Sequence, residues 1–176
     1  MAQDADDLLA AHRRHAWQPF TQMKLAPDPV FIERGEDVYL FTKDGRRLID
    51  GIGSWWVNVH GHSNPVINRA IQSQMERLEH VIYAGLSHEP ATELARRLSE
   101  TTGHRLPRVF YSDNGSTSVE IALKMAFQYF QNAGDRERTE IVALGEGYHG
   151  DTIGAMSVGA RGVFHEMFEA WLFPVH

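Results

Sequence analysis

Arg108-Val109-Phe110-Tyr111-Ser112-Asp113-Asn114-Gly115-Ser116-Thr117-Ser118 runs from a strand-like segment into a helix-like one, and this junction decides the fold. Val109, Phe110 and Tyr111 favour a short extended strand up to Ser112. Asp, Asn, Gly and Ser then supply turn and cap chemistry. Beyond them Val119, Ala122, Leu123, Ala126, Tyr129 and Phe130 recur at helical spacing. The next apolar run, Glu140-Ile141-Val142-Ala143-Leu144, reads as a second strand. Strand, helix and strand in that order make a βαβ unit, so the chain is α/β with a parallel sheet covered by helices.

Working outward, Asn64-Pro65 is a helix start with Asn as cap and Pro in the first turn. Ile67, Ala70, Ile71, Met75 and Leu78 continue that helix, and Ala91, Leu94, Ala95 and Leu98 mark another over 90–101. Residues 4–14 open acidic and close basic, which suits the helix dipole. Between them, Val30–Glu33, Val38–Phe41 and Arg47–Ile49 read as short strands, with turns at Arg34–Asp37 and Lys43–Arg46. The expected organisation is therefore a helix and antiparallel meander over residues 1–60, followed by the start of a parallel α/β domain over 61–176. The closing segment Ala170–His176 looks like the approach to a further strand, so the sheet is expected to be incomplete and the chain cut.

Three stretches carry chemical signals. At Ser112–Ser118 glycine permits close approach, and the first helical turn offers unpaired N–H groups beside three hydroxyls. These groups would cradle a phosphate, although a helix capped only by Ser would use the same residues. The spacing fits neither a dinucleotide fingerprint nor a Walker loop. Gly145-Glu146-Gly147-Tyr148-His149-Gly150-Asp151-Thr152 follows the next strand, where α/β folds place ligands. Tyr148 there could lie against a planar ring or pack as an ordinary loop residue. In Gly51–His62, Trp55 and Trp56 are adjacent, and an extended chain would send them to opposite faces. One of them then faces a pocket or interface, unless each fills a separate core.

Composition narrows the classes. A net charge of −6 with scattered Lys and Arg argues against a nucleic-acid surface. With no Cys there are no disulfides or thiolate metal sites. Ten His tempt a metal reading, but His12/His15 and His60/His62 lack the accompanying ligand pattern, and no metal is expected. No signal core or membrane-length apolar run is visible, and a cytoplasmic protein is expected.

Taken together, the segments resemble one family. In order they are His15-Ala16-Trp17-Gln18-Pro19-Phe20-Thr21-Gln22-Met23, then Trp55-Trp56 through Gly61-His62, then His80–Ala91. Asn114-Gly115-Ser116 with Val119-Glu120, and Gly147–Thr152, complete the set. This array is similar to the class III, fold-type I pyridoxal-phosphate (PLP) aminotransferases. Within them it resembles the adenosylmethionine–8-amino-7-oxononanoate aminotransferase branch of biotin biosynthesis. The resemblance implies PLP as cofactor, with Gly115 and Ser116 at its phosphate, and Tyr148 and His149 beside its ring. It implies Trp55, Trp56, Phe20 and Tyr148 around the substrates S-adenosylmethionine and 8-amino-7-oxononanoate, and a homodimeric enzyme. Phe20 sits where some relatives carry Tyr, which leaves an apolar contact in place of a phenolic hydrogen bond. Glu120 is expected to be structural. The family's Schiff-base lysine matches none of Lys24, Lys43 or Lys124. No catalytic residue is therefore assigned, and the chain alone is expected to be inactive. The alternatives are another class III ω-aminotransferase, or a non-catalytic truncated piece that binds or dimerises.

Overall fold

The computed structural model describes residues 5–163 and 165–176. It divides into two compact units, Met1–Leu86 and Ser87–His176.

The first unit opens with α1 (Ala5–His15), which carries Asp6 and Asp7 in its first turn and four basic or imidazole side chains in its last. This is the helix expected at 4–14; Asp4 lies outside the described residues. Arg13 grips Asp28 through two hydrogen bonds of 2.8 and 2.6 Å. The meander follows as β1 (Ile32–Glu36), β2 (Tyr39–Thr42) and β3 (Arg47–Ile49), paired antiparallel in sequence order. At the second turn Thr42, 2% exposed, accepts the Arg46 N–H at 2.9 Å, and Gly45 takes φ +85°.

The first turn differs from expectation. Arg34, Gly35 and Glu36 belong to β1, and only Asp37 and Val38 make the hairpin loop. Asp37 adopts φ +50°, a conformation that Asp tolerates better than most residues. Gly35 serves a different need, because a Cβ there would lie 2.7 Å from the His62 side chain. His62 reaches that position through a backbone bridge in which Asp37 and His62 exchange N–H···O bonds of 3.0 and 2.7 Å.

After β3 the backbone turns left-handed. Gly53, Ser54, Trp55 and Trp56 take φ of +56°, +47°, +68° and +69° in the short α2 (Gly53–Trp56). The extended chain expected at the two tryptophans is thus corrected to a left-handed turn. Each L-residue held this way costs about 1–2 kcal/mol. Asn64 then caps α3 (Pro65–Met75), accepting from the Val66 N–H at 3.0 Å, as its sequence predicts.

In the second unit, α4 (Glu89–Thr101) is capped by His88 and α5 (Gly115–Asn132) by Asn114. Asn114 Oδ1 accepts the Thr117 N–H at 3.0 Å while Thr117 Oγ1 accepts the Asn114 N–H at 3.1 Å, a reciprocal capping box. Two short elements close the unit, α6 (Ile153–Ser157) and a 3-10 segment, Glu166–Trp171. Buried apolar residues concentrate at α6, with Ala155, Met156 and Val158, and α5 packs against it.

The strands expected at 108–112 and 140–144 are corrected in one respect: among the described residues neither forms a ladder of its own. The parallel geometry is nevertheless present as one rung. His176 N–H donates to the Ile141 carbonyl at 2.9 Å, and Ala143 N–H donates to the His176 carbonyl at 2.9 Å. One residue bonding on both sides of its opposite neighbour is the parallel pattern. The segment before α5 is instead tied to α4 by Tyr111, whose hydroxyl donates to the Ala91 carbonyl at 2.6 Å.

Candidate functional site

The predicted site residues fall into two clusters, one in each unit. In the second unit the cluster forms at the start of α5. The first two residues, Gly115 and Ser116, have N–H groups that no intrahelical carbonyl can reach, whereas the cap consumes the third. The positive end of an 18-residue helix points the same way.

Against this helix end sits the loop Gly147–Asp151. The Asp151 N–H donates to Ser116 Oγ at 3.3 Å. Gly150 has φ +129°, and a Cβ there would lie 2.6 Å from Ser116 Cβ and 2.9 Å from its Cα. The close approach of two backbones is therefore what this glycine permits. Tyr148 is 63% exposed and donates its hydroxyl to Asp151 Oδ2 at 2.8 Å. That bond to a carboxylate raises the phenol above its ordinary pKa, so it remains protonated and donating. One ring face is covered by His165, with centroids 6.1 Å apart and planes 18° from parallel. His149 is exposed beside it.

Two residues support this loop, and sequence reasoning missed the first of them. His165 is only 2% exposed, and its Nδ1 lies 3.0 Å from the Ala160 carbonyl. A carbonyl only accepts, so Nδ1 carries the proton there. Glu120, expected to be structural, reaches across to α6: its Oε1 accepts the Gly154 N–H at 2.6 Å and the Ala155 N–H at 3.2 Å. Its carboxyl is held below the usual range, first by the Thr152 side chain and then by those backbone donors. A carboxylate at a helix start is favourable by charge as well.

In the first unit Phe20, Trp55 and Trp56 assemble. Phe20 and Trp55 stack with centroids 5.8 Å apart and planes 16° apart, and Trp56 meets Trp55 edge-on at 6.2 Å. All three are well exposed, Trp55 at 61% and Trp56 at 74%. Beneath them Asp50, which sequence reasoning did not single out, accepts from Ser54 and contacts His62. The only advance signal was an acidic residue between an apolar strand and a Gly-Ser turn.

The sequence of residues 21–176 matches the class-III aminotransferase family. The chain belongs to that family. Among curated relatives, the adenosylmethionine-8-amino-7-oxononanoate aminotransferase of Synechococcus elongatus is 55% identical over 92% of this chain and 38% of its own length. The enzyme of the same name from Geobacter sulfurreducens is 45% identical over 97% of this chain and 38% of its own. The crystal structure of the Methanocaldococcus jannaschii aminotransferase of that name superposes with a TM-score of 0.91 at 41% identity, covering 98% of this chain and 40% of that one. An (S)-enantioselective ω-transaminase from Thermomicrobium roseum superposes with a TM-score of 0.87 at 30% identity, covering 100% and 39%. The chain thus spans about two fifths of the length of the relatives it matches.

Class III aminotransferases of fold type I use PLP, and the α5 cluster fits the phosphate end of such a group. Unpaired N–H groups, a hydroxyl and a helix N-terminus converge there, and Gly150 lets the loop backbone close on Ser116. A covalent anchor is a separate matter. The second unit contains one lysine, Lys124, nine residues after Gly115 and so roughly 13 Å along the helix.

Proposed function

We propose that this chain serves an aminotransferase that moves an amino group from S-adenosylmethionine to 8-amino-7-oxononanoate, giving 7,8-diaminononanoate for biotin biosynthesis. The observation that carries this reading is identity of 45–55% sustained over nine-tenths or more of the chain, to relatives that share one name and activity. PLP bound at the site supplies the electron sink for amino transfer.

The chain's own residues have defined tasks in this reading. The N–H groups of Gly115 and Ser116 hold the phosphate, and the bond from Asp151 to Ser116 Oγ keeps the loop closed over it. Tyr148 presents its uncovered face to the planar ring, with His165 behind it and Asp151 fixing its hydroxyl. His149 lies beside that ring. Phe20, Trp55 and Trp56 form an aromatic wall for the substrates, and such faces attract a cationic sulfonium. Residues 1–60 belong to the small domain and 61–176 to the PLP-binding domain. The active protein is a cytoplasmic homodimer; no helix among the described residues is long and apolar enough to cross a membrane.

The test is a comparison of amino donors with the protein expressed from its full reading frame. Amino transfer from S-adenosylmethionine to 8-amino-7-oxononanoate supports the reading. Transfer only from ω-amino acids or simple amines refutes it and favours the second reading, an ω-transaminase, which the likeness to the Thermomicrobium roseum enzyme keeps in view.

A further inference from the structure

Four successive residues with positive φ are unusual, and three of them, Ser54, Trp55 and Trp56, have side chains that disfavour that conformation. Such a run persists only where its surroundings hold it. The surroundings are few and specific. Asp50 Oδ1 accepts the Ser54 N–H at 2.9 Å, and Oδ2 accepts the Ser54 hydroxyl at 2.7 Å. His62 Nε2 lies 2.7 Å from the same Oδ2, and an ionised carboxylate only accepts, so Nε2 donates. Both side chains are largely buried, Asp50 at 6% and His62 at 15% exposed.

The cluster is anchored at both ends. The Asp50 N–H donates to the Val38 carbonyl at 2.9 Å, which continues the β2–β3 ladder. His62 is fixed by its two backbone bonds to Asp37, and its ring occupies the space that a side chain on Gly35 would fill. Three donors around one carboxylate, the two from Ser54 first and His62 next, hold the Asp50 carboxyl down at about 2, so it is ionised throughout the physiological range. Ser54 is directly followed by the two tryptophans, and the turn that it starts sends Trp55 onto Phe20 and Trp56 edge-on to Trp55.

We propose that Asp50 is the positioning residue for the Trp55–Trp56 pair, acting through Ser54 with His62 as its brace, and that it thereby sets the shape of the substrate wall. Asp50 touches neither ring; it acts by fixing the backbone that presents them. The link to substrate rests on the aromatic-wall reading above, whereas the link to ring geometry does not.

The experiment uses the protein expressed from its full reading frame, loaded with PLP, as Asp50→Asn and Ser54→Ala. Circular dichroism reads the exciton coupling of the two indoles, with Trp56→Phe as the uncoupled reference. Steady-state kinetics with S-adenosylmethionine and 8-amino-7-oxononanoate then separate KM from kcat. Asp50→Asn is expected to abolish the coupling and to raise KM about tenfold or more, with PLP affinity unchanged. Ser54→Ala, which removes one bond of the three, is expected to shift both in the same direction but less. Coupling retained in both variants overturns the proposal. Coupling lost with KM unchanged upholds the positioning role and refutes the substrate wall. Should Asp50→Asn fail to fold, retained coupling in Ser54→Ala overturns the proposal by itself.

Discussion

Replacing Gly150 by alanine sets a methyl group against the start of α5. Its carbon would sit inside the Ser116 hydroxyl, 2.6 Å from Ser116 Cβ and 2.9 Å from Ser116 Cα. The last of these is backbone at a capped helix end and cannot swing aside. Alanine must also accept φ +129°, at about 1–3 kcal/mol. Overpacking adds about 1–3 kcal/mol, and the smaller unfolded-state entropy of alanine returns about 0.4–1 kcal/mol. The net loss is about 1–6 kcal/mol, which reaches a large part of the usual stability of a domain. The chain can relieve the clash by moving the loop outward, which breaks the Asp151 N–H to Ser116 Oγ bond and carries Tyr148 with it. Thermal or denaturant unfolding of the cofactor-free protein gives the stability, and absorbance titration gives PLP affinity. Both are expected to fall. Parent-like unfolding, within about 0.5 kcal/mol, would show that the close approach of Gly150 and Ser116 does not exist in solution.

Two further outcomes follow from geometry already described. Glu120→Ala leaves the N–H groups of Gly154 and Ala155 without their acceptor at buried positions, at an expected cost of about 2–4 kcal/mol in unfolding, with Glu120→Gln intermediate. Acid titration followed by tryptophan fluorescence addresses Asp50, whose folded carboxyl titrates at about 2 against an ordinary 3.8. A depressed carboxylate stabilises above its unfolded value and ceases to do so as pH falls through its folded one. The Trp55–Trp56 signal is therefore expected to hold down to pH near 4 and to change between 4 and about 2, and a change centred near 6 would refute the assignment to Asp50.

Helices were legible because their starts are written locally. Asn64-Pro65 carries its own cap and the bond there is the one those residues predict, while at the turn into α5 the cap falls to Asn114 rather than to Ser. The turn that opens α5 was readable for the same reason. Gly35 was not, since it resembles a turn glycine and is spent instead on clearance for an imidazole 27 residues downstream. The left-handed turn was hidden likewise. Only Gly53 hints at positive φ, while the side chain that sustains the run belongs to Asp50, which locally reads as the end of a strand. His165 gave no signal, because its place behind Tyr148 depends on a chain reversal that no short pattern encodes.

Ser116 and Glu120 stand one turn apart on α5 and pin Asp151 and Gly154, which are three residues apart on the other segment. The offsets are 35 and 34 residues, so the two pins work as a gauge that fixes how far the loop has travelled along the helix. Changes of chain length are then not equally tolerable. An added or deleted residue between Asp151 and Gly154 puts the two pins out of step, and no sliding of the loop restores both. The stretch from Ala133 to Thr139, after α5 ends and before the pins begin, can lengthen or shorten with both held. Among natural versions of this fold, length variation should gather in that stretch and be missing from Asp151–Gly154.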